Sequence, residues 1–275
     1  MNLKKLNISK VEFSKKDVKN NLKIPKILNN KLAYLIGVHV GDGSMGIYKK
    51  GANYYISYTG HIIDEQEYHK EIIKDLFKEL FNKRVKINFD RRIKNSSLRT
   101  YLNSKAILTF FHKSLRLPMG MKKDIDIPKI ITYSNKTIMK YFLRGLADTD
   151  FCLTFKKRYK KKHYYPSISF NNQSKYLTKS VINILKKFNI NSSVSYNMKS
   201  KRNNRINISH QININGKENL SKWMKKIGFN SAKHLTKYQV WKTFGYCPPN
   251  TNINERYRIL KQNNKNVYKT SKISL

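Results

Sequence analysis

The sequence predicts an α+β fold in which a unit of order αββαββα occurs twice. Three observations predict it. The chain resembles itself at a spacing of about 108 residues. Within each copy, helix-period apolar stretches alternate with pairs of period-two stretches. The composition, 39% hydrophobic and 12% aromatic over 275 residues, is enough for one or two ordinary cores and argues against wholesale disorder.

Each copy starts from an Ile-Pro-Lys lead, at Ile24 and at Ile127. An apolar helix follows, near 31–42 and 136–149. A strand pair comes next, near 45–49 with 54–60, and 151–158 with 164–171. The amphipathic helices near 64–82 and 174–189 repeat apolar residues at three and four: Tyr68, Ile72, Ile73, Leu76, Phe77 and Leu80 in one, Tyr176, Leu177, Val181, Ile184, Leu185 and Phe188 in the other. A second strand pair follows, near 84–90 with 98–103, and 193–199 with 205–214. A last helix closes each copy, near 104–115 and 216–227. The expected organisation is a basic lead-in over 1–23, a first repeat over 24–118 and a second over 119–227. A helical extension and basic tail then occupy 228–275. The lead-in is either loosely ordered or laid on the domain or on DNA. A segment around 232–244 reads as a helix packed on the second repeat, and the residues from about 260 as a flexible or DNA-contacting tail.

The strands alternate. Ile206, Ile208, Ile212 and Ile214 face one way, against Asn207, Ser209, Gln211 and Asn213. Ile168 and Phe170 oppose Ser169 and Asn171. Val194, Tyr196 and Met198 oppose Asn197 and Lys199. Val85, Ile87 and Phe89 oppose Lys86 and Asn88. Period two puts one face on a core and leaves the other open. Each copy therefore offers a four-stranded antiparallel sheet with helices on one face and a polar, basic surface on the other.

Charge names the class of partner. There are 57 Lys and Arg against 16 Asp and Glu, a formal net charge of +41. After Asp150 the acidic residues are Glu218 and Glu255. Such a chain repels itself unless a polyanion screens it, and nucleic acid is the commonest one. The Lys residues are spread along the chain, so a tail does not account for the excess. No apolar run reaches membrane-spanning length, and the first thirty residues show no secretory apolar core. The two cysteines, Cys152 and Cys247, form no Cys/His cluster, which argues against a disulfide scaffold or a zinc module. An intracellular, reducing setting is the expectation.

The apolar helices carry the chemistry. Ala33, Gly37 and Gly41 are spaced by four, as are Gly145 and Thr149. Small residues at that spacing let a second helix approach closely, and the obvious partner is the other copy. Such packing would bring Asp42 and Asp150 together at one end. Each carboxylate sits at a helix C-terminus, where the macrodipole opposes it by about 0.3–1 kcal/mol. Two together repel further. A divalent metal offsets both costs.

These two segments resemble the paired motifs of the LAGLIDADG (dodecapeptide) homing endonucleases of the two-motif, monomeric type. Leu35 to Gly43 matches one motif and Leu143 to Phe151 the other. The resemblance spans about residues 24–227. It implies two sheets forming a saddle on double-stranded DNA with the motif helices packed at the centre. It also implies cleavage of both strands of a long, nearly asymmetric site across the minor groove, leaving short 3′ overhangs. Asp42 and Asp150, at the eighth motif position, would hold two or three shared Mg²⁺ ions, with the carbonyls of Gly41 and Thr149 as further ligands. A basic or amide side chain near each scissile phosphate falls on His61 and Gln173, with Lys156 and Arg99 as runners-up. The open strand faces would read bases through Lys86, Asn88, Arg99, Lys156, Ser169, Asn171, Asn197, Lys199, Asn207, Ser209, Gln211 and Asn213, by the pairing of amides with adenine and cations with guanine. Maturation of an intron RNA and non-catalytic DNA regulation are the alternatives on this fold.

Two positions depart from the motif. Phe151 stands where a glycine usually ends the helix, which predicts a strained turn beside Asp150. Asp148 stands at the sixth position where copy one has Val40, and reads as a capping acid. His39, inside an apolar helix, reads as a core histidine. His69, His112, His163 and His210 read as surface or sheet residues.

Overall fold

The computed structural model describes residues 4–48, 53–90, 96–202 and 205–262. Most of the expected C-terminal tail lies outside them. The chain divides into two compact units, residues 1–122 with 127–146, and residues 123–126 with 147–275. Among the described residues no helix is long and apolar enough to cross a membrane.

In the first unit α1 (Lys15–Lys19) precedes α2 (Asn30–Gly41), β1 (Gly43–Tyr48) and β2 (Asn53–His61). A π-helical turn, Tyr68–Ile73, runs into α3 (Lys74–Phe81). Then come β3 (Lys86–Asp90), β4 (Ser97–Asn103), α4 (Lys105–Thr109), which widens to π-helix over Phe110–Ser114, and α5 (Lys129–Thr132). The helix α6 (Lys136–Asp150) contributes its residues up to Leu146. The sheet order is β1-β2-β4-β3, antiparallel throughout.

The second unit repeats the plan with β5 (Phe151–Lys156), β6 (Tyr165–Asn172), α7 (Lys175–Lys187), β7 (Ser193–Arg202), β8 (Arg205–Asn215) and α8 (Lys217–Lys226). Its order, β5-β6-β8-β7, is the same topology. Two further helices follow, α9 (Ala232–Phe244) and α10 (Ile253–Lys261). The sequence reading had no helix at α10. It starts from a capping box between Asn252 and Glu255. It also buries Arg256, whose Nε donates to Thr236 Oγ1 of α9 at 2.9 Å.

Local signals explain the helix starts. Asn29 Oδ1 accepts from the Leu32 amide, and Ser174 Oγ from the Leu177 amide, each satisfying an orphan donor of the first turn. The lead-in packs on its domain. Asp17 is buried, caps α1 through Ser14, and accepts from Ser104 Oγ and the Ala106 amide at the start of α4. Leu6 and Leu22 are buried as well.

Glycine sets the contact between α2 and α6. A Cβ on Gly37 would lie 2.1 Å from the Phe142 carbonyl oxygen and 2.8 Å from the Leu146 nitrogen. A Cβ on Gly145 would lie 2.1 Å from the Tyr34 carbonyl oxygen and 3.1 Å from the Val38 nitrogen. The approach is reciprocal, as expected for two copies of one motif packed backbone to backbone.

Four expectations need correction. Tyr176 is 61% exposed and sits off the apolar stripe of α7. His69 is a core residue, buried and hydrogen-bonded through Nδ1 to Thr100 Oγ1 at 2.8 Å. Ile206 and Ile208 stay on the Ile212 side of β8, but are 69% and 48% exposed, because the β7–β8 ribbon runs beyond its helices. Finally, β7 does not alternate evenly. Ser195 pairs with Gln211 and Met198 with Ser209, so Tyr196 and Asn197 together oppose His210. Asn197 takes a left-handed conformation, φ 55°. The extra residue flips the faces beyond it.

Candidate functional site

The eighth-position acids end their helices. Asp42 follows α2 as its C-cap in right-handed conformation, and β1 starts at the next residue. Asp150 is the last residue of α6, and β5 starts at Phe151. Both acids and their neighbours Gly41 and Thr149 are half-buried. Asp42 lies in the first unit and Asp150 in the second.

A residue absent from the sequence reading joins the first of these ends. The Lys122 ammonium donates to the carbonyls of His39 at 3.1 Å, Val40 at 3.0 Å and Gly41 at 2.5 Å. It satisfies carbonyls left open at the end of α2 and sits at the negative pole of the macrodipole. Lys122 lies some eighty residues along the chain from this helix end, so nothing local in the sequence marks it.

The second copy is built differently at the corresponding place. Asp148 is fully buried. Its Oδ1 and Oδ2 accept from the Asn230 amide at 3.0 and 3.1 Å, and its Oδ1 from the Ser231 amide at 2.9 Å. These amides open α9, whose N-cap Ser231 makes no side-chain cap of its own. Asp148 is therefore the capping acid the sequence suggested.

Phe151 causes no strained turn. Gly43, its counterpart, does not have a positive φ. The glycine there is required by space: its Cβ would lie 2.4 Å from His39 Nδ1. His39 is buried, hydrogen-bonds Tyr58 through Nδ1 at 2.9 Å and packs edge-on against Phe111. Copy two has Ala147 in place of His39, and the Phe151 ring instead stacks on Phe170 at 4.7 Å and packs at a tilt against Trp223 at 5.3 Å. A large and a small residue have exchanged places. Burial, with the Lys122 charge nearby, pushes the His39 pKa down to about 3, so the ring is neutral.

The supporting residues lie at strand ends. His61 ends β2 with its side chain half exposed. Its Nδ1 accepts from the Ile63 and Asp64 amides, both at 3.3 Å, and its own amide donates to Glu65 Oε2 at 2.7 Å. Gln173 is exposed, one residue beyond β6.

The strand registers bring together most of the residues expected on the open faces. In the first sheet Asn88 pairs with Arg99, Arg99 with Thr59, and Lys86 with Tyr101. In the second, Ser169 pairs with Asn213 and Asn171 with Gln211, and Asn207 and Ser209 continue that side of β8. Lys156, at the end of β5, pairs with Tyr165 on the same side. Lys199 is the exception. Beyond the bulge it pairs with Ile208 and shares the face of the isoleucines, while Met198 joins the polar face. Asn197 is the bulge itself.

Residues 137–228 match the family model of the LAGLIDADG-like domain. This segment is a LAGLIDADG-like domain. The LAGLIDADG fold also appears in the structural comparisons. The homing endonuclease I-WcaI bound to its DNA recognition sequence aligns over 78% of this chain and 87% of its own, with 18% identity and a TM-score of 0.50. I-DmoI in complex with DNA and Mn aligns over 72% and 96%, with 17% identity and a TM-score of 0.49. The N-terminal LAGLIDADG domain of WhiA aligns over 72% and 81%, with 16% identity and a TM-score of 0.47. Among curated proteins no sequence matches.

The residues present suit a hard divalent cation. Among the described residues no group of three or more His, Cys, Asp or Glu side chains could hold a metal. A site here would thus combine a carboxylate with backbone carbonyl oxygen, leaving positions for water or phosphate, the donor set Mg²⁺ favours. Lys122 already holds a cationic group against the Gly41 carbonyl.

Proposed function

We propose that this protein is a site-specific DNA endonuclease. It acts as a monomer and cuts both strands of a long, nearly asymmetric duplex by Mg²⁺-dependent phosphodiester hydrolysis, leaving short 3′ overhangs. The observation that carries the reading is the pair of motif helices. Each ends in an acid, Asp42 or Asp150, and leads directly into the first strand of a sheet with an open polar face.

Asp42 with the Gly41 carbonyl, and Asp150 with the Thr149 carbonyl, are the residues that would hold divalent metal. Bound metal orients water and stabilises charge on the attacking and leaving oxygens. Lys122 adds fixed positive charge beside the Asp42 end, where the scissile phosphate accumulates negative charge. His61 and Gln173 position water or phosphate from the strand ends. The open faces lie in the major groove, where Asn88, Arg99, Asn171, Gln211 and Asn213 read base edges and the lysines fix register on phosphates.

The test uses a duplex that joins the host sequences flanking the gene into one uninterrupted site. It is incubated with protein in Mg²⁺ and, separately, in EDTA. The expected result is one metal-dependent double-strand cut near the junction. Tight binding without a cut in any divalent metal would replace the endonuclease with a DNA-binding regulator.

A further inference from the structure

The open face of the first sheet carries an aromatic ridge that duplex reading does not need. Tyr48, Tyr55 and Tyr101 come from three adjacent strands. Tyr55 pairs with Gly46, and Tyr101 with Ser57, so the rings run diagonally across β1, β2 and β4. Their centroids are 6.2 Å apart for Tyr48 and Tyr55, and 5.8 Å for Tyr55 and Tyr101. Tyr48 is 54% exposed and the other two are half-buried.

The ridge leads into a second feature. Tyr101 is also one wall of a groove of about 460 Å³ at the β3 edge. Five cations line it: Lys16, Lys78, Lys83, Arg84 and Lys86. Lys86 pairs directly with Tyr101, so ridge and groove are continuous. Lys83 donates to the Asn103 carbonyl at 2.9 Å, which fixes its stem along the groove wall.

The two features call for one ligand. A basic groove follows a phosphate backbone, and neighbouring aromatic rings on an open face, here at 74° for Tyr48 and Tyr55 and 31° for Tyr55 and Tyr101, offer surfaces on which unpaired bases stack; together they form the usual single-strand binding track. In a duplex the base faces are already covered by their neighbours, so tyrosine rings on a flat sheet would meet only base edges. We infer that this face binds a single-stranded nucleic acid, with bases stacked on Tyr48, Tyr55 and Tyr101 and the backbone continuing into the Lys16–Lys86 groove. Single-strand and duplex binding would then compete for one surface. The inference stands apart from the endonuclease reading, because it invokes neither acid nor metal.

The test uses the full chain and four 12-mers: oligo(dT), oligo(rU), an abasic oligomer of equal charge, and a duplex. The thymine and uracil strands should bind at least tenfold more tightly than the abasic one, and the tighter of the two identifies DNA or RNA as the source. Tyr55→Leu and Tyr101→Leu should each remove about tenfold of that affinity, with duplex affinity within threefold and an unchanged unfolding midpoint. Oligomers carrying 5-iodouracil should photocrosslink to the wild-type protein at Tyr48, Tyr55 or Tyr101. Equal affinity for the abasic strand would overturn the inference, as would crosslinks confined to other residues. An equal loss of duplex affinity in the tyrosine variants would assign the ridge to duplex reading instead.

Discussion

The imidazole of His39 occupies the space that a side chain at position 43 would need, with Nδ1 2.4 Å from where a Cβ of Gly43 would stand. Gly43→Ala should therefore destabilise the protein by about 1–3 kcal/mol, the usual cost of overpacking. In the His39→Ala background the ring clash disappears and the same change should cost less, leaving the contact of the new methyl with the His39 carbonyl oxygen at 2.6 Å. Urea unfolding of the two single variants and the double variant measures the coupling. Strict additivity would mean that His39 and Gly43 do not share this space.

Gly37→Ala and Gly145→Ala should be worse. Each new methyl meets backbone of the facing helix at 2.1 Å, and backbone cannot rotate aside. Losses at or beyond about 4 kcal/mol are expected, at the extreme of single substitutions. A thermal melt within a few degrees of wild type for either variant would contradict the close packing of α2 and α6.

Cleavage and binding should separate at the acids. Asp42→Asn or Asp150→Asn should abolish double-strand cleavage while duplex affinity stays within about tenfold, since affinity comes mainly from phosphate neutralisation. Duplex affinity should also fall steeply with salt, by a slope near the number of phosphates neutralised. A variant of either acid that cuts at the wild-type rate removes that residue from the site.

Lys122→Met tests the added cation. Cleavage at saturating duplex should slow by about tenfold or more, with a stability loss near 1 kcal/mol for the helix end. Lys122→Arg should recover much of the stability, because it keeps the charge at the carbonyls. A stability loss with unchanged cleavage rate would leave Lys122 a helix cap alone.

Acid should weaken the fold through buried histidine. His39 is held neutral, with its pKa lowered from 6.5 to about 3 by burial and then by Lys122. The unfolded chain binds a proton there that the folded chain refuses. The contribution is intact above about pH 6.5 and falls as pH drops from there toward 3, by at most about 1.4 kcal/mol per pH unit. His234 is buried, and its pKa is also pushed down, by burial first and by Lys233, Lys237 and Arg256 after it, so it adds to the same acid limb. Denaturant midpoints between pH 7 and 4 should fall less in His39→Ala than in wild type.

Much of this fold is legible in the sequence, because its signals are local. The small-residue spacing in the motif helices, the period-two strands and the Asn29 and Ser174 caps each act within a few residues. What is illegible depends on distant partners. Gly43 reads as a helix terminator until the His39 ring is seen beside it, and Phe151 reads as strained until Phe170 and Trp223 are seen around it. Lys122 is one of many lysines until it meets the carbonyls of α2. The bulge at Asn197 has one weak trace, a residue type that tolerates the left-handed region. That single residue moves Lys199 off the face that simple alternation gives it.

The β7–β8 ribbon projects past the core, and its outer residues, Ile206 and Ile208 among them, bury little. Substitution there costs the fold almost nothing, whereas the same change at Ile212 would open a cavity. Mutational drift along this ribbon is accordingly close to neutral for folding. Under the proposed function, new contact chemistry at the ribbon tip would therefore need no compensating change in the core.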